Sequence, residues 1–125
     1  MSDEETGLTG RRVLVVEDEW LVASEVTRNL RAAGAIVVGP AANLQTATAL
    51  IGGGDQLDAA LLDINLQGRM VYPIADVLES KGVNFAFVSG YTPDSVPSRY
   101  RRYAFHEKPF DPASVVLSLL ASDRG

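Results

Sequence analysis

Four groups of polar residues close strand-like runs in this 125-residue sequence. Glu17, Asp18 and Glu19 follow "VLVV", Asp63 and Asn65 close "AALLDIN", Ser89 and Gly90 close "NFAFVSG", and Lys108 follows "YAFHE". Carboxylates gathered at a strand end repel one another unless a positive charge or a proton sits among them, so the set asks for a cation. Oxygen ligands at this density suit Mg²⁺, which keeps several waters and works beside phosphoryl groups. In such a site Asp63 is the nucleophile, because a carboxylate can accept a phosphoryl group as an acyl phosphate. Ser89 and Lys108 then hold the phosphoryl oxygens by hydrogen bond and by charge.

These groups meet only if the strands lie side by side and run the same way. "RRVLVVE" is a continuous valine-rich run, as expected of a parallel strand covered on both faces. Val22, Val26, Leu30 and Ala33 recur at helical spacing until Gly34 stops the helix. "AIVVG" reads as a second strand, and Asn43 caps a helix that carries Leu44, Ala47 and Ile51 on its apolar face and ends at the glycines 52–54. "LDAALLDIN" is a third strand. Met70 to Lys81 forms a helix with Val71, Ile74, Ala75 and Leu78 on one face and Pro73 in its first turn, where the missing N–H is tolerated. "VNFAFVSG" is a fourth strand, and "TPDSVPSRYRR" a fourth helix made irregular by Pro97. "YAFHEKP" gives a fifth strand and "FDPASVVLSLLA" a last helix, with Asp111 as its cap and Pro112 at its first position.

Five strands alternating with five helices imply an α/β fold: a five-stranded parallel sheet, doubly wound by right-handed crossovers, with helices on both faces. Such sheets place their sites at the carboxyl ends of the strands, where all four polar groups stand. The domain is expected over residues 11–121, between a flexible acidic tail at 1–10 and a short tail at 122–125.

Composition excludes several functions. The chain carries 11 basic and 16 acidic residues, a formal charge of -5, which argues against a nucleic-acid surface. Arg99, Arg101 and Arg102 are the one basic cluster and read as a solvated helix end. Apolar runs are short of the roughly 20 residues that span a bilayer. The start "MSDEETGLTG" lacks the regions of a signal peptide, and with no cysteine the chain is expected in the cytoplasm, away from membranes.

Taken in order, "VLVVEDE", "ALLDINL", "FVSGY" and "HEKPF" resemble the motifs of the receiver domain of bacterial two-component response regulators, over about residues 11 to 121. The resemblance implies the flavodoxin-like strand order 2-1-3-4-5. It implies that Asp63 is the phosphoacceptor, that Asp18, Asp63 and the backbone carbonyl of Asn65 ligate Mg²⁺, and that Glu17 holds a metal-bound water. Ser89 and Phe105 are then the switch pair, and Lys108 contacts the phosphoryl group, with the Lys108–Pro109 bond cis. Partners follow from the same likeness. A histidine kinase or histidine phosphotransfer protein donates the phosphoryl group, and a downstream protein reads the state on the face of the fourth helix, fifth strand and fifth helix, around Phe105 and Tyr91. The chain is then a phosphoacceptor rather than an enzyme, with at most self-phosphorylation and self-dephosphorylation, acting as relay, switch or phosphate sink. "FVSGY" and "NLQG" resemble an alphaproteobacterial subgroup of stand-alone receivers with a Phe-Ala-Thr-Gly-Tyr-like motif. Where the family carries a proline and an acidic residue with glycine after the phosphoacceptor, this chain reads "NLQGRMVYP".

Plainer readings stand beside these. Glu19 is expected to face solvent and Trp20 to pack or lie partly exposed. Phe105, apolar within a strand, reads from its residue type as core packing. His106 is the only histidine, and with no cysteine present it carries no metal or phosphohistidine site. A small Mg²⁺-dependent phosphatase also uses an aspartate nucleophile, but it needs an acid two residues later, where this chain has Asn65. A flavin carrier shares the strand order, but its first loop supplies hydroxyls and amides, whereas this one supplies acids.

Overall fold

The apolar runs become adjacent strands in the computed structural model, which describes residues 7–54, 56–90 and 93–121. In chain order the first half contains β1 (Arg12–Val16), α1 (Trp20–Ala32), β2 (Ile36–Ala41), α2 (Leu44–Ile51) and β3 (Ala59–Asp63). Two short strands follow, β4 (Asn65–Leu66) and β5 (Arg69–Met70), then α3 (Tyr72–Ser80) and β6 (Asn84–Ser89). Two 3₁₀ turns, Pro93–Ser95 and Ser98–Tyr100, lead to β7 (Ala104–Glu107) and α4 (Pro112–Ala121).

The main sheet has the order β2-β1-β3-β6-β7, and every pair in it is parallel. This is the expected order 2-1-3-4-5 once the small β4–β5 pair is set aside. Side chains alternate across the sheet with the strand period of two. Leu14, Val16, Leu62, Phe85 and Phe87 face α2 and α3 in one core layer, which includes Ala47, Ile74 and Leu78. Val13, Val15, Leu61 and Ala86 face α1 and α4 in the other, with Val26, Leu30 and Val116. All five residues of β3 are buried, which places Asp63 at the end of the most enclosed strand.

Local signals set the ends of the elements. The Asn43 side chain accepts a hydrogen bond from the Thr46 N–H at 2.8 Å and starts α2. Pro73 lies in the first turn of α3, and Gly34, at φ +98°, takes the chain out of α1 in a conformation that disfavours a side chain. At the start of α4 the Asp111 carboxylate accepts from the Ser114 hydroxyl at 3.0 Å.

Two expectations are corrected. No fourth α-helix forms between β6 and β7, so the described residues hold four α-helices. Pro97 has no N–H to donate and sits at φ -57°, ψ 146°, an extended conformation that separates the two 3₁₀ turns. The arginines there are exposed, as expected, but they end no α-helix, and two of them tie the segment to α3. Arg99 pairs with Asp76 at 3.1 Å, Arg102 pairs with Glu79 at 2.9 Å, and Arg101 Nε donates to the Val96 carbonyl at 2.7 Å. The second correction concerns the chain after Asp63. The third strand stops there rather than at Asn65, and residues 65–70 fold into an antiparallel hairpin, so α3 starts at Tyr72 instead of Met70.

No helix among the described residues is long and apolar enough to cross a membrane. Of the tail expected at 1–10, the described part is packed, with Leu8 fully buried in the second core layer and the Gly10 N–H donating to the Gly34 carbonyl at 2.9 Å; residues 1–6, Tyr91 and residues 122–125 lie outside the described residues.

Tyr100 secures the irregular segment. It is 7% exposed, stacks on Tyr72 with ring centroids 4.5 Å apart, and donates its hydroxyl to Asp76 at 2.9 Å. Tyr100→Phe should cost about 1 kcal/mol for the lost hydrogen bond, and Tyr100→Ala about 3 to 5 kcal/mol once the ring is gone. Urea unfolding measures both, and equal losses would show that the ring's packing contributes nothing.

Candidate functional site

The carboxyl ends of β1, β3, β6 and β7 open on one cleft, with room for about 500 Å³, lined by Asp18, Asp63, Asn65, Ser89 and Lys108 among others. Since a water takes about 30 Å³ of liquid, the space admits a cation, its waters and a phosphoryl-sized group. Glu17 follows β1 and is buried, with only 4% exposed. Both its oxygens are engaged: Oε1 accepts from Lys108 Nζ at 2.8 Å, and Oε2 accepts from the Glu19 N–H at 3.0 Å. Asp63 ends β3 and lies 3.7 Å from the same ammonium through Oδ1. Ser89 ends β6 and is 1% exposed, and its carbonyl accepts the Lys108 N–H at 2.8 Å. That bond carries the β6–β7 ladder one step past β7 and aims Lys108 at the acids. The Lys108–Pro109 peptide bond is cis, as expected, and so is Gly39–Pro40.

Asn65 contributes through its backbone. Its side-chain oxygen accepts the Gly68 N–H at 2.6 Å and so closes the hairpin turn. Val71 N–H donates to the Ile64 carbonyl at 2.8 Å, and hydrogen-bonded pairs alternate along an antiparallel ladder. The carbonyl of Asn65, in the next pair, therefore points away from Met70.

One carboxylate oxygen from each of Glu17, Asp18 and Asp63 lies within 4.8 Å of the other two. This anionic, all-oxygen donor set suits a hard divalent cation that fills the rest of its shell with water. The residues present fit such an ion.

The residues singled out from the sequence thus converge, with one looser member. Phe105 pairs with Phe87 in the register between β6 and β7, while Ser89 pairs with Glu107, so Phe105 and Ser89 share a sheet face one step apart. Phe105 is partly buried against the core layer that holds Phe87 and Tyr100. Glu19 is exposed at the mouth of the cleft and Trp20 is 74% exposed, so neither packs into the core. Lys108 pairs with the cleft acids, and the Asp111 carboxylate is engaged by the Ser114 hydroxyl at the start of α4. Sequence reasoning missed Gln67 and Gly68, which also line the cleft. The available signal was the dipeptide itself, since Gly in a two-residue stretch between Leu66 and Arg69 marks a tight hairpin.

No family model matches the sequence, and no curated protein does. Solved structures do match. The solution structure of SdrG from Sphingomonas melonis Fr1 is 35% identical, covers 97% of this chain and 99% of its own, and superposes with a TM-score of 0.76. A BeF3-activated conformation of SdrG from Pseudomonas melonis Fr1 is 33% identical over 87% of this chain and 95% of its own, with a TM-score of 0.74. The response regulator receiver protein from Sinorhizobium medicae WSM419 has a TM-score of 0.76 over 92% of this chain and 98% of its own; at 21% identity it speaks for the fold alone.

The charges in the cleft do not balance. Burial, then the charge of Glu17, push the Asp63 carboxyl from 3.8 up to about 7; Lys108 pulls the other way, and a hydrogen bond with Glu17 and the charge of Asp18 add to the rise. Burial alone would lower the Lys108 ammonium, but its hydrogen bond to Glu17 and the nearby carboxylates raise it above 10.5. A carboxyl whose pKa is higher folded than unfolded favours the native state below its unfolded value, and that contribution disappears as pH rises through the folded value. Metal-free protein should therefore lose stability between pH 4 and 7 relative to Asp63→Asn. One pKa unit is about 1.4 kcal/mol, and water screens the open cleft, so the gap should reach about 1 to 2 kcal/mol by pH 8. Denaturation series at pH 4 and pH 8 measure it; a variant less stable than wild type at pH 8 would mean that Lys108 already satisfies all three acids.

Proposed function

The chain belongs to the receiver domains of the response-regulator family, and from that premise we propose that it accepts a phosphoryl group on Asp63 from a histidine kinase or a histidine phosphotransfer protein and signals by protein contact. Members of this family are phosphoacceptors rather than enzymes. The observation that carries the assignment is the position of Asp63, a carboxylate at the end of the central buried strand, 3.7 Å from the Lys108 ammonium and in the same cleft as Ser89.

In the transfer an Asp63 oxygen forms a bond to phosphorus as the bond to the donor imidazole breaks. Lys108 and Ser89 hold the equatorial oxygens by charge and hydrogen bond, which favours the transition state over the ground state. Asp18, Asp63 and the Asn65 carbonyl would hold Mg²⁺, with Glu17 one shell further out. The ion supplies positive charge that offsets both the acids and the incoming phosphoryl group. Its presence also keeps Asp63 ionised at neutral pH, the form that attacks.

The read-out runs through Ser89 and Phe105. A Ser89 hydroxyl drawn toward the phosphoryl group vacates space on the face that Phe105 shares, and this differential contact shifts the equilibrium between two arrangements. The segment from Pro93 to Tyr103, built from 3₁₀ turns rather than a continuous helix, is the element that would move, and its ties to α3 through Arg99, Tyr100 and Arg102 are the contacts that would change. Output contacts are then made on the surface of that segment, β7 and α4. The receiver unit takes in residues 11–121 together with Leu8 in its core and works in the cytoplasm, away from nucleic acid and membrane, as the whole chain's net charge of -5 suits. "FVSGY" and "NLQG" support membership of the alphaproteobacterial subgroup with the Phe-Ala-Thr-Gly-Tyr-like motif. A role as phosphate sink needs only the site; a role as switch or relay needs the face as well. The rival reading as an aspartate-nucleophile phosphatase finds no acid at residue 65, where the Asn65 side chain is occupied by Gly68.

Incubation with a small phosphodonor and Mg²⁺, followed by mass mapping, should place the adduct on Asp63, and undiminished labelling of Asp63→Asn would refute the assignment. Ser89→Ala should still take up the phosphoryl group but lose most of the phosphorylation-dependent change in hydrogen exchange over residues 93 to 107. If that change persists in Ser89→Ala, the route through Ser89 and Phe105 is wrong.

A further inference from the structure

The hairpin after Asp63 puts an amide at the open side of the cleft. Gln67 lines the cleft, is exposed, and is the only non-glycine residue with positive φ among the described residues, at 55°. Gly68 follows at φ 90°. A two-residue turn of this kind prefers Asn, Asp or Gly at its first position, because other side chains are strained there. Gln67 is thus a poor choice for the turn. The turn is closed without its side chain, by Asn65 Oδ1 accepting the Gly68 N–H at 2.6 Å. The amide of Gln67 makes no hydrogen bond with a described residue, and an unfavourable residue kept at the mouth of a site points to work done by its side chain.

That work follows from the placement of the other groups. Ser89 and Lys108 belong to the ends of β6 and β7, at the floor of the cleft, and Asp63 comes from the same floor. Water that hydrolyses an acyl phosphate must approach phosphorus opposite the Asp63 oxygen, from the mouth, where Gln67 stands. A primary amide is suited to that position. Its carbonyl accepts a hydrogen bond from the water, a contact made only in hydrolysis, and being neutral it orients the water without removing a proton.

We propose that Gln67 is a positioning residue that orients the water hydrolysing the Asp63 acyl phosphate and thereby sets the lifetime of the phosphorylated state; this rests on Asp63 being the phosphoacceptor. The water oxygen forms a bond to phosphorus, the bond from phosphorus to the Asp63 oxygen breaks, and its electron pair returns to the carboxylate. Both protons of the water leave on the released dihydrogen phosphate.

The test separates gain from loss of the phosphoryl group. Wild type, Gln67→Leu and Gln67→Gly are loaded with labelled phosphoramidate and Mg²⁺, freed of donor, and followed for loss of label. Gln67→Leu keeps the bulk of the side chain without the amide, and Gln67→Gly removes the amide while relieving the turn. Each should lengthen the lifetime about tenfold, the effect of about one hydrogen bond in the transition state, with the loading rate unchanged. A Gln67→Gly lifetime equal to or shorter than wild type overturns the proposal, as does an equal slowing of loading and loss, which marks a distorted site. A wild-type chain that takes no label on Asp63 refutes the phosphoacceptor reading and this proposal together.

Discussion

One ammonium faces three carboxylates in the cleft, and the arrangement around it depends on that shortfall. Lys108 reaches Glu17 at 2.8 Å and Asp63 at 3.7 Å, so its charge is shared, and Asp18 stands in the same group of acids. Left without a further cation, the cheapest remedy is to keep a proton on Asp63, whose carboxyl titrates near 7. A divalent ion held by these acids would supply the missing positive charge, and Asp63 would then stand ionised as a nucleophile. On the proposed function, affinity for the ion and readiness to accept a phosphoryl group would both follow from one electrostatic deficit.

The rigid parts of the fold hold that deficit in place. Like charges separate if their supports can move, and here each is anchored by a buried strand: the residues before Glu17 on β1 and all of β3 lie in the core. Lys108 is tied by its own N–H to Ser89 at the end of β6. The loops above lie outside the main sheet. The hairpin at 65–70 and the segment from Pro93 to Tyr103 carry little ladder hydrogen bonding and meet through α3. Tyr72 opens that helix directly after the hairpin and stacks on Tyr100, which also bonds to Asp76. The mouth of the cleft is thus packed against the far segment through Tyr72 and Tyr100.

Much of this was legible in the sequence because the strongest signals are local and redundant. Valine-rich and alanine-rich runs covered on both faces mark the parallel strands, and alternation with helical spacing marks a doubly wound sheet, while the strand order comes from the family resemblance. The polar strand ends then fall on one edge without further information, which is why Glu17, Asp18, Asp63, Asn65, Ser89 and Lys108 could be named together. The misreadings arose where a single residue outweighs a pattern. Pro97 converts a segment of helical spacing into two 3₁₀ turns, and the partners that hold it, Asp76 and Glu79, lie 23 residues away from Arg99 and Arg102. Gln67 and Gly68 turn the chain back after β4, where hydropathy carries the third strand past Asp63 to Asn65. Neither the pairing partners of an arginine nor the sign of φ at a glutamine is written in periodicity.

The most direct measurement is a carbon-detected NMR titration of the Asp63 carboxyl in metal-free protein, repeated with saturating Mg²⁺. The account expects a midpoint near 7 without the ion, well above the ordinary 3.8, and a midpoint driven down when the ion is present. An ordinary midpoint in the metal-free protein, unchanged by Mg²⁺, would show that the cleft carries no charge deficit and would contradict the account at its base.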